Sequence, residues 1–82
     1  MQESLLVERI MLDPAVMTGK PVIRGTRLTV EYILRLLAGG TTVDEILEEY
    51  KGLSIDDIRA CMLFASRALA DTSFMPLTSE IP

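Results

Sequence analysis

Lys20, Arg24, Arg27 and Arg35 fall within sixteen residues, opposed in that stretch only by Glu31. Four cations so close together suit the gripping of phosphates or carboxylates. The two central arginines are singled out by their place in the chain. Arg24 and Arg27 flank Gly25-Thr26. If that pair forms a turn, both arginines stand on one ribbon, able to enter a groove of nucleic acid or dock on an acidic protein. The competing reading is that they tie the turn to carboxylates of this chain or of a second copy. Arg59 is a further cation, but it stands beside Asp56 and Asp57.

Catalytic chemistry has little to work with. There is no His, so no Ser-His or Cys-His pair can form, and a metal site would need carboxylates alone. Asp56 and Asp57 are adjacent, so on a helix they point in different directions. Cys61 lies in an apolar stretch, which favours an inert thiol. Gly19-Lys20 lacks both the following Ser or Thr and the glycine-rich lead of a phosphate cradle. The sequence therefore predicts a binding protein, with no catalytic residues, no metal and no cofactor.

The elements that would carry these residues must fit into 82 residues, room for a single domain. Residues 1–72 read as that domain and 73–82 as a tail. Half the chain is apolar, with no Trp and only four aromatics, so aliphatic side chains must build the core. One cysteine excludes an internal disulfide, which fits a reducing cytoplasm. Leu5-Leu6-Val7 is too short for a signal or a membrane span. Charge is uneven. Residues 1–41 hold five basic and four acidic groups, a net of +1, whereas residues 42–82 hold three basic and eight acidic groups, a net of −5. An anionic partner is expected on the first half and a basic one on the second.

Residues 5–12 read as a short strand, ended by Asp13-Pro14, and residues 13–21 as a loop. Val22–Arg24 and Arg27–Thr29 read as a hairpin, with Gly25 at the first central position of a type II′ turn. Three helices follow. The first is capped by Thr29, carries Val30, Ile33, Leu34 and Leu37 inward, and stops at Gly39-Gly40. The second opens with a capping box, Thr42 to Glu45, and has Val43, Ile46, Leu47 and Tyr50 as its inner stripe. The third is capped by Ser54 and runs to about Ala70, with Ile55, Ile58, Met62, Ala65 and Leu69 as one face. The fold class predicted is mainly α: a helix-turn-helix, homeodomain-like three-helix bundle with an N-terminal strand and β-hairpin.

Cys61, Phe64 and Ala68 widen the apolar arc of the third helix, and Leu63 projects from its polar side. Such a helix exceeds what so short a chain can cover, so these residues are expected at a dimer or partner interface. Phe74 and Met75 are expected to add to that contact. Insertion of the third helix into a major groove is disfavoured. Its first turns carry Asp56 and Asp57, and the preceding helix carries Asp44, Glu45, Glu48 and Glu49, all repelling phosphates.

Asp13-Pro14, the stretch Met17-Thr18-Gly19-Lys20-Pro21-Val22-Ile23-Arg24-Gly25-Thr26-Arg27-Leu28-Thr29-Val30, then Leu36–Gly40, Glu45–Tyr50 and Leu53–Ala60 together resemble the bacterial domain of unknown function 433 family. The resemblance covers about residues 8–70. It departs at Lys51, where Pro commonly follows the Tyr, and at Cys61, where a small residue is usual. The resemblance implies a homeodomain-like bundle with an N-terminal β segment. It also implies the antitoxin half of a toxin–antitoxin pair, since members are often encoded beside PIN-like nucleases. The expected partners are a second copy, a PIN-like nuclease and DNA, with no membrane.

Overall fold

A computed structural model describes residues 3–70. The elements are α1 (Glu3–Val7), β1 (Ile10–Met11), a 3₁₀ turn (Met17–Gly19), β2 (Val22–Ile23), α2 (Val30–Ala38), α3 (Val43–Glu49) and α4 (Ile55–Ala70). The fold is mainly helical with one small antiparallel sheet, in which Ile10 pairs with Ile23 and Met11 with Val22.

The helix ends follow the local chemistry of the sequence. Thr29 caps α2 by accepting from the Tyr32 N–H at 3.0 Å. The helix closes where Thr41 N donates to Leu36 O and Gly40 N to Leu37 O, with Gly40 at φ +98°. That pair of bonds is a Schellman motif, and it needs a left-handed residue after the cap. Thr42 and Glu45 form the full capping box of α3, and the Thr42 N–H holds the Glu45 carboxyl below its ordinary pKa.

Ile23, Ile33, Ile46, Ile58, Val22 and Cys61 are the largest of the fully buried side chains. They come from β2, α2, α3 and α4, and α4 is the element against which α1, β1, α2 and α3 all pack. Aliphatic side chains thus build the core without aromatics at its centre.

Three expectations about the elements are corrected. Residues 5–12 are not one strand: Glu3–Val7 is a turn of helix, and only Ile10 and Met11 are extended. Glu3 to Val7 contains good helix formers, and a short apolar run does not reveal its period. α1 lies on α4, where Arg67 donates to Glu3 at 3.0 Å. Next, the ladder partner of β2 is β1, while the expected hairpin with Arg27–Thr29 is present only in part, as one antiparallel bridge, Val22 to Thr29, and one bond from Ile23 N to Leu28 O at 2.9 Å. The turn is Ile23–Thr26, closed by Thr26 N donating to Ile23 O. Gly25, at φ +82°, occupies its second central position, as in a type II turn, not the first.

The last correction concerns α4. Its inner face holds Asp57, Ile58, Ala60 and Cys61, with Phe64 packed beside them. Ile55, Met62 and Leu69 stand 48%, 46% and 55% exposed. The helix is therefore rotated by roughly 100° from the expected face, about one residue step. On this inner face Asp57 ties the N-terminal turn to Arg9 and Ser54, beside the fully buried Ile58, Ala60 and Cys61.

Cys61 is buried in the core and is no interface residue. Burial, and then the negative charge of Asp57, push its thiol up to about 12. The native thiol is expected to resist an aromatic disulfide reagent until the chain unfolds. Because the folded pKa lies above the ordinary value near 9, the thiol's contribution to stability is fully present below that value. It falls as pH rises from there towards 12. Rapid labelling of native protein at neutral pH would contradict this burial.

Candidate cationic turn and cleft

Ion pairing separates the basic residues into two groups. Lys20 Nζ lies 3.2 Å and Arg35 Nη2 2.7 Å from opposite oxygens of Glu31. Lys20 first, then Arg35, hold the Glu31 carboxyl below its ordinary pKa. Two of the four clustered cations therefore face one carboxylate. Lys51 pairs with Glu48, Arg59 with Asp56, and Arg67 with Glu3. Arg9 spans Asp56 and Asp57. Among the described residues, Arg24 and Arg27 alone have no carboxylate partner.

Both arginines are exposed, on a turn whose backbone is fixed at several points. Arg24 N donates to Arg9 O at 2.7 Å, and Arg24 Nε to Glu8 O at 2.9 Å. Thr26 Oγ1 donates to Ile23 O at 2.7 Å and accepts from Leu28 N at 3.0 Å. The Arg24 side chain is thereby aimed without its charge being neutralised. Gly25 supplies the left-handed residue, and an added Cβ would meet nothing there within 4 Å. Only its backbone angle demands glycine.

Beside the turn lies a cleft of about 420 Å³. Met11, Ala15, Val16 and Met17 make its apolar wall, and Gly25, Thr26 and Arg27 its polar rim. The wall is shaped by an unusual backbone. Met17, Thr18 and Gly19 take φ of +49°, +54° and +83° in succession. A β-branched threonine there costs on the order of 1–3 kcal/mol, held by the surrounding bonds. Asp13 Oδ1 accepts from Ala15 N at 2.9 Å. Val16 N donates to Asp13 O, Gly19 N to Val16 O and Lys20 N to Met17 O. Nothing about Met17 or Thr18 as residue types announces this, so the sequence reading missed the cleft wall.

The arrangement can take an anionic group on Arg27 and Arg24 while an apolar group beside it enters the cleft. Among the described residues, no three His, Cys, Asp or Glu side chains gather where a metal could be held. Nor is any described helix long and apolar enough to cross a membrane.

The remaining predicted site residues are scattered. Arg59 sits on α4, tied to Asp56. Asp57, only 8% exposed, accepts from Arg9 Nη1 at 3.1 Å and from Ser54 N at 2.9 Å. Ser54 Oγ also donates to it, at 3.3 Å. This internal network seals the start of α4, and the sequence reading passed over Arg9 altogether. Leu63 and Phe64 are half-buried, and Phe64 packs on the core. Ala68 is exposed. Phe74 and Met75 lie outside the described residues.

A model of the family described as "Protein of unknown function (DUF433)" matches residues 10–65. An uncharacterized protein, y4eO, from Sinorhizobium fredii (strain NBRC 101917 / NGR234) is 33% identical over 58 residues. The match covers 71% of this chain but 26% of that protein, so the chain spans about a quarter of its relative. The crystal structure of a DUF433 member from Anabaena variabilis ATCC 29413, at 2.00 Å resolution, superimposes with a TM-score of 0.73 at 27% identity. That similarity covers 82% of this chain and 66% of the other. With the family model spanning more than half the residues, the cleft wall and the arginine turn among them, this chain belongs to the DUF433 family.

Proposed function

We propose that this chain is a non-catalytic binding protein that grips an acidic macromolecular surface with its Arg24–Arg27 turn. One observation carries the reading. Arg24 and Arg27 are the cations left without carboxylate partners among the described residues, and both stand on one rigid, exposed turn beside an apolar cleft. Unpaired guanidiniums on an acidic protein are placed for a partner's anions, and a fixed turn lowers the entropic cost of engaging them.

The partner this reading favours is a PIN-like nuclease, the antitoxin-like role that the family resemblance implies. The acidic, metal-binding centre of such an enzyme would receive a guanidinium in place of its cation. Co-expression with the product of the adjacent open reading frame tests this. Co-purification and loss of nuclease activity are expected. Recovery of this chain alone, with nuclease activity unaffected by added protein, would overturn it.

Stand-alone DNA binding is the second reading, with α2–α4 as a homeodomain-like unit and α3–α4 as its helix-turn-helix. The exposed turn supports phosphate contacts. The sealed, acidic start of α4 argues against groove insertion, because Asp57 is held by Arg9 and Ser54. Two free cations would give a salt slope of only about −2.

Self-association belongs to the proposal as well. Ile55, Met62 and Leu69 recur every seven residues along one exposed side of α4, the spacing of a helix–helix seam. An antiparallel second copy would set Ile55 opposite Leu69 and bring the acidic first turn beside the Arg67 end. Met62→Lys is expected to convert a dimer to a monomer by sedimentation velocity, with the helical spectrum unchanged. An unaltered sedimentation coefficient would exclude this seam.

A further inference from the structure

We propose that the cleft between α2 and α3 is a second binding site, which takes an arginine side chain of a partner protein. It shares no residue with the cationic turn. Its volume is about 270 Å³, and Tyr32, Tyr50, Leu36, Ile46, Glu45 and Glu49 line it.

Three features fit a guanidinium. The tyrosine rings stand at 85° with centroids 6.3 Å apart, and their hydroxyls are 2.7 Å apart. That bond joins the two rings, both of which line the cleft, and Tyr32 is 41% exposed. A planar cation stacks on such a face. The carboxylates have unequal duties. Glu45 gives one oxygen to the Thr42 N–H of the capping box, whereas Glu49 is exposed and makes no ion pair among the described residues. Among the described residues, no cation pairs with Glu49. Lys20 and Arg35 are held by Glu31, and Lys51 by Glu48. Among the described residues the Glu49 charge therefore stands unanswered in a cleft lined by two aromatic rings. The Tyr50 hydroxyl is held above its ordinary pKa, first by the Tyr32 hydrogen bond and lastly by Glu49.

Arginine is chosen over lysine on shape. A slot between an edge-on ring pair and a carboxylate admits a flat group that stacks and forks at once, which a tetrahedral ammonium cannot do. The test is a ¹H–¹⁵N NMR titration of the whole chain with the peptide Ac-Gly-Arg-Gly-NH₂. The citrulline analogue has the same shape without the charge, and the lysine analogue has the charge without the plane. Saturable shifts at Tyr32, Glu49 and Tyr50 are expected with arginine. Affinity should fall at least tenfold with citrulline, severalfold with lysine, and at least tenfold in Glu49→Gln. Glu49→Gln keeps a good helix former at an exposed position, so its spectrum should otherwise be unchanged. Tyr32→Phe, which keeps the ring and frees Tyr50, is expected to weaken binding while leaving the fold intact. No saturable shift, equal response to citrulline, or equal response to lysine would overturn the assignment. Shifts at these residues that grow with protein concentration alone, and vanish in Arg24→Ala or Arg27→Ala, would assign the cleft to a second copy instead and overturn it equally.

Discussion

Asp57→Ala is expected to destabilise the fold by about 2–3 kcal/mol, a large share of what an 82-residue domain has. Three interactions end together. The Arg9 guanidinium loses its 3.1 Å partner, and the Ser54 N–H and hydroxyl lose their acceptor at the start of α4. A fully buried pair would lose more on truncation. Arg9 is 36% exposed at its side chain, so water and Asp56 recover part of the loss. The effect is large because α4 is the packing partner of α1, β1, α2 and α3. Urea unfolding followed by helical circular dichroism is the measurement, and a midpoint shift at constant slope reports stability alone. Asp57→Asn keeps an acceptor for Ser54 while removing the charge. It is expected to lose about half as much as Ala, which separates the cap from the ion pair. A loss below about 0.5 kcal/mol for Asp57→Ala would place this network among ordinary surface contacts.

Legibility in the sequence followed the range of the interaction. Thr29, Thr42–Glu45 and Gly39-Gly40 act within four residues of themselves, and each marks the helix end it was read to mark. The inner stripes of α2 and α3 were readable for the same reason: Val30, Ile33 and Ile46 are buried as their spacing implies. On α4 the spacing was ambiguous, because Ile55, Met62 and Leu69 form as regular a row as the residues that face inward. The face that turns inward also holds Asp57, which reaches Arg9, 48 positions away, and no local pattern carries that. The strand partner was legible only in part, since Val22 bridges Thr29 and Ile23 N donates to Leu28 O. Val22 and Ile23 lie nearer in sequence to Leu28-Thr29, yet β2 pairs with β1. Of the four clustered cations, sequence could not say which were free. Glu31 sits eleven residues from Lys20 and one turn from Arg35, and it binds both. The left-handed run through Met17 and Thr18 had no signal in residue type at all.

Arg24→Ala with Arg27→Ala is expected to weaken partner binding by roughly a hundredfold or more, about 3 kcal/mol, with each single change near tenfold. The figure follows from two charge-assisted contacts at the low end of their range. Neither side chain pairs with a carboxylate here, so almost none of the loss should appear as instability. Thermal midpoints are expected to stay close to the wild type, apart from the small effect of the Arg24 bond to Glu8 O. The conservative variants decide how the arginines act. Lysine keeps the charge but lacks both the fork and the Nε donor that Glu8 O receives. Arg24→Lys should therefore recover little affinity if geometry is what matters, and most of it if the turn supplies only a positive field. The kinetics separate the two as well. Loss of a steering charge slows association and depends on salt, whereas loss of a seated bidentate contact speeds dissociation and changes little with salt. Faster dissociation confined to the arginine variants would mark the turn as a seated anchor on an acidic protein. A salt slope that flattens by about 2 in the double variant would point to phosphates instead. Unchanged affinity in the double variant would remove the turn from the binding surface, whatever the partner.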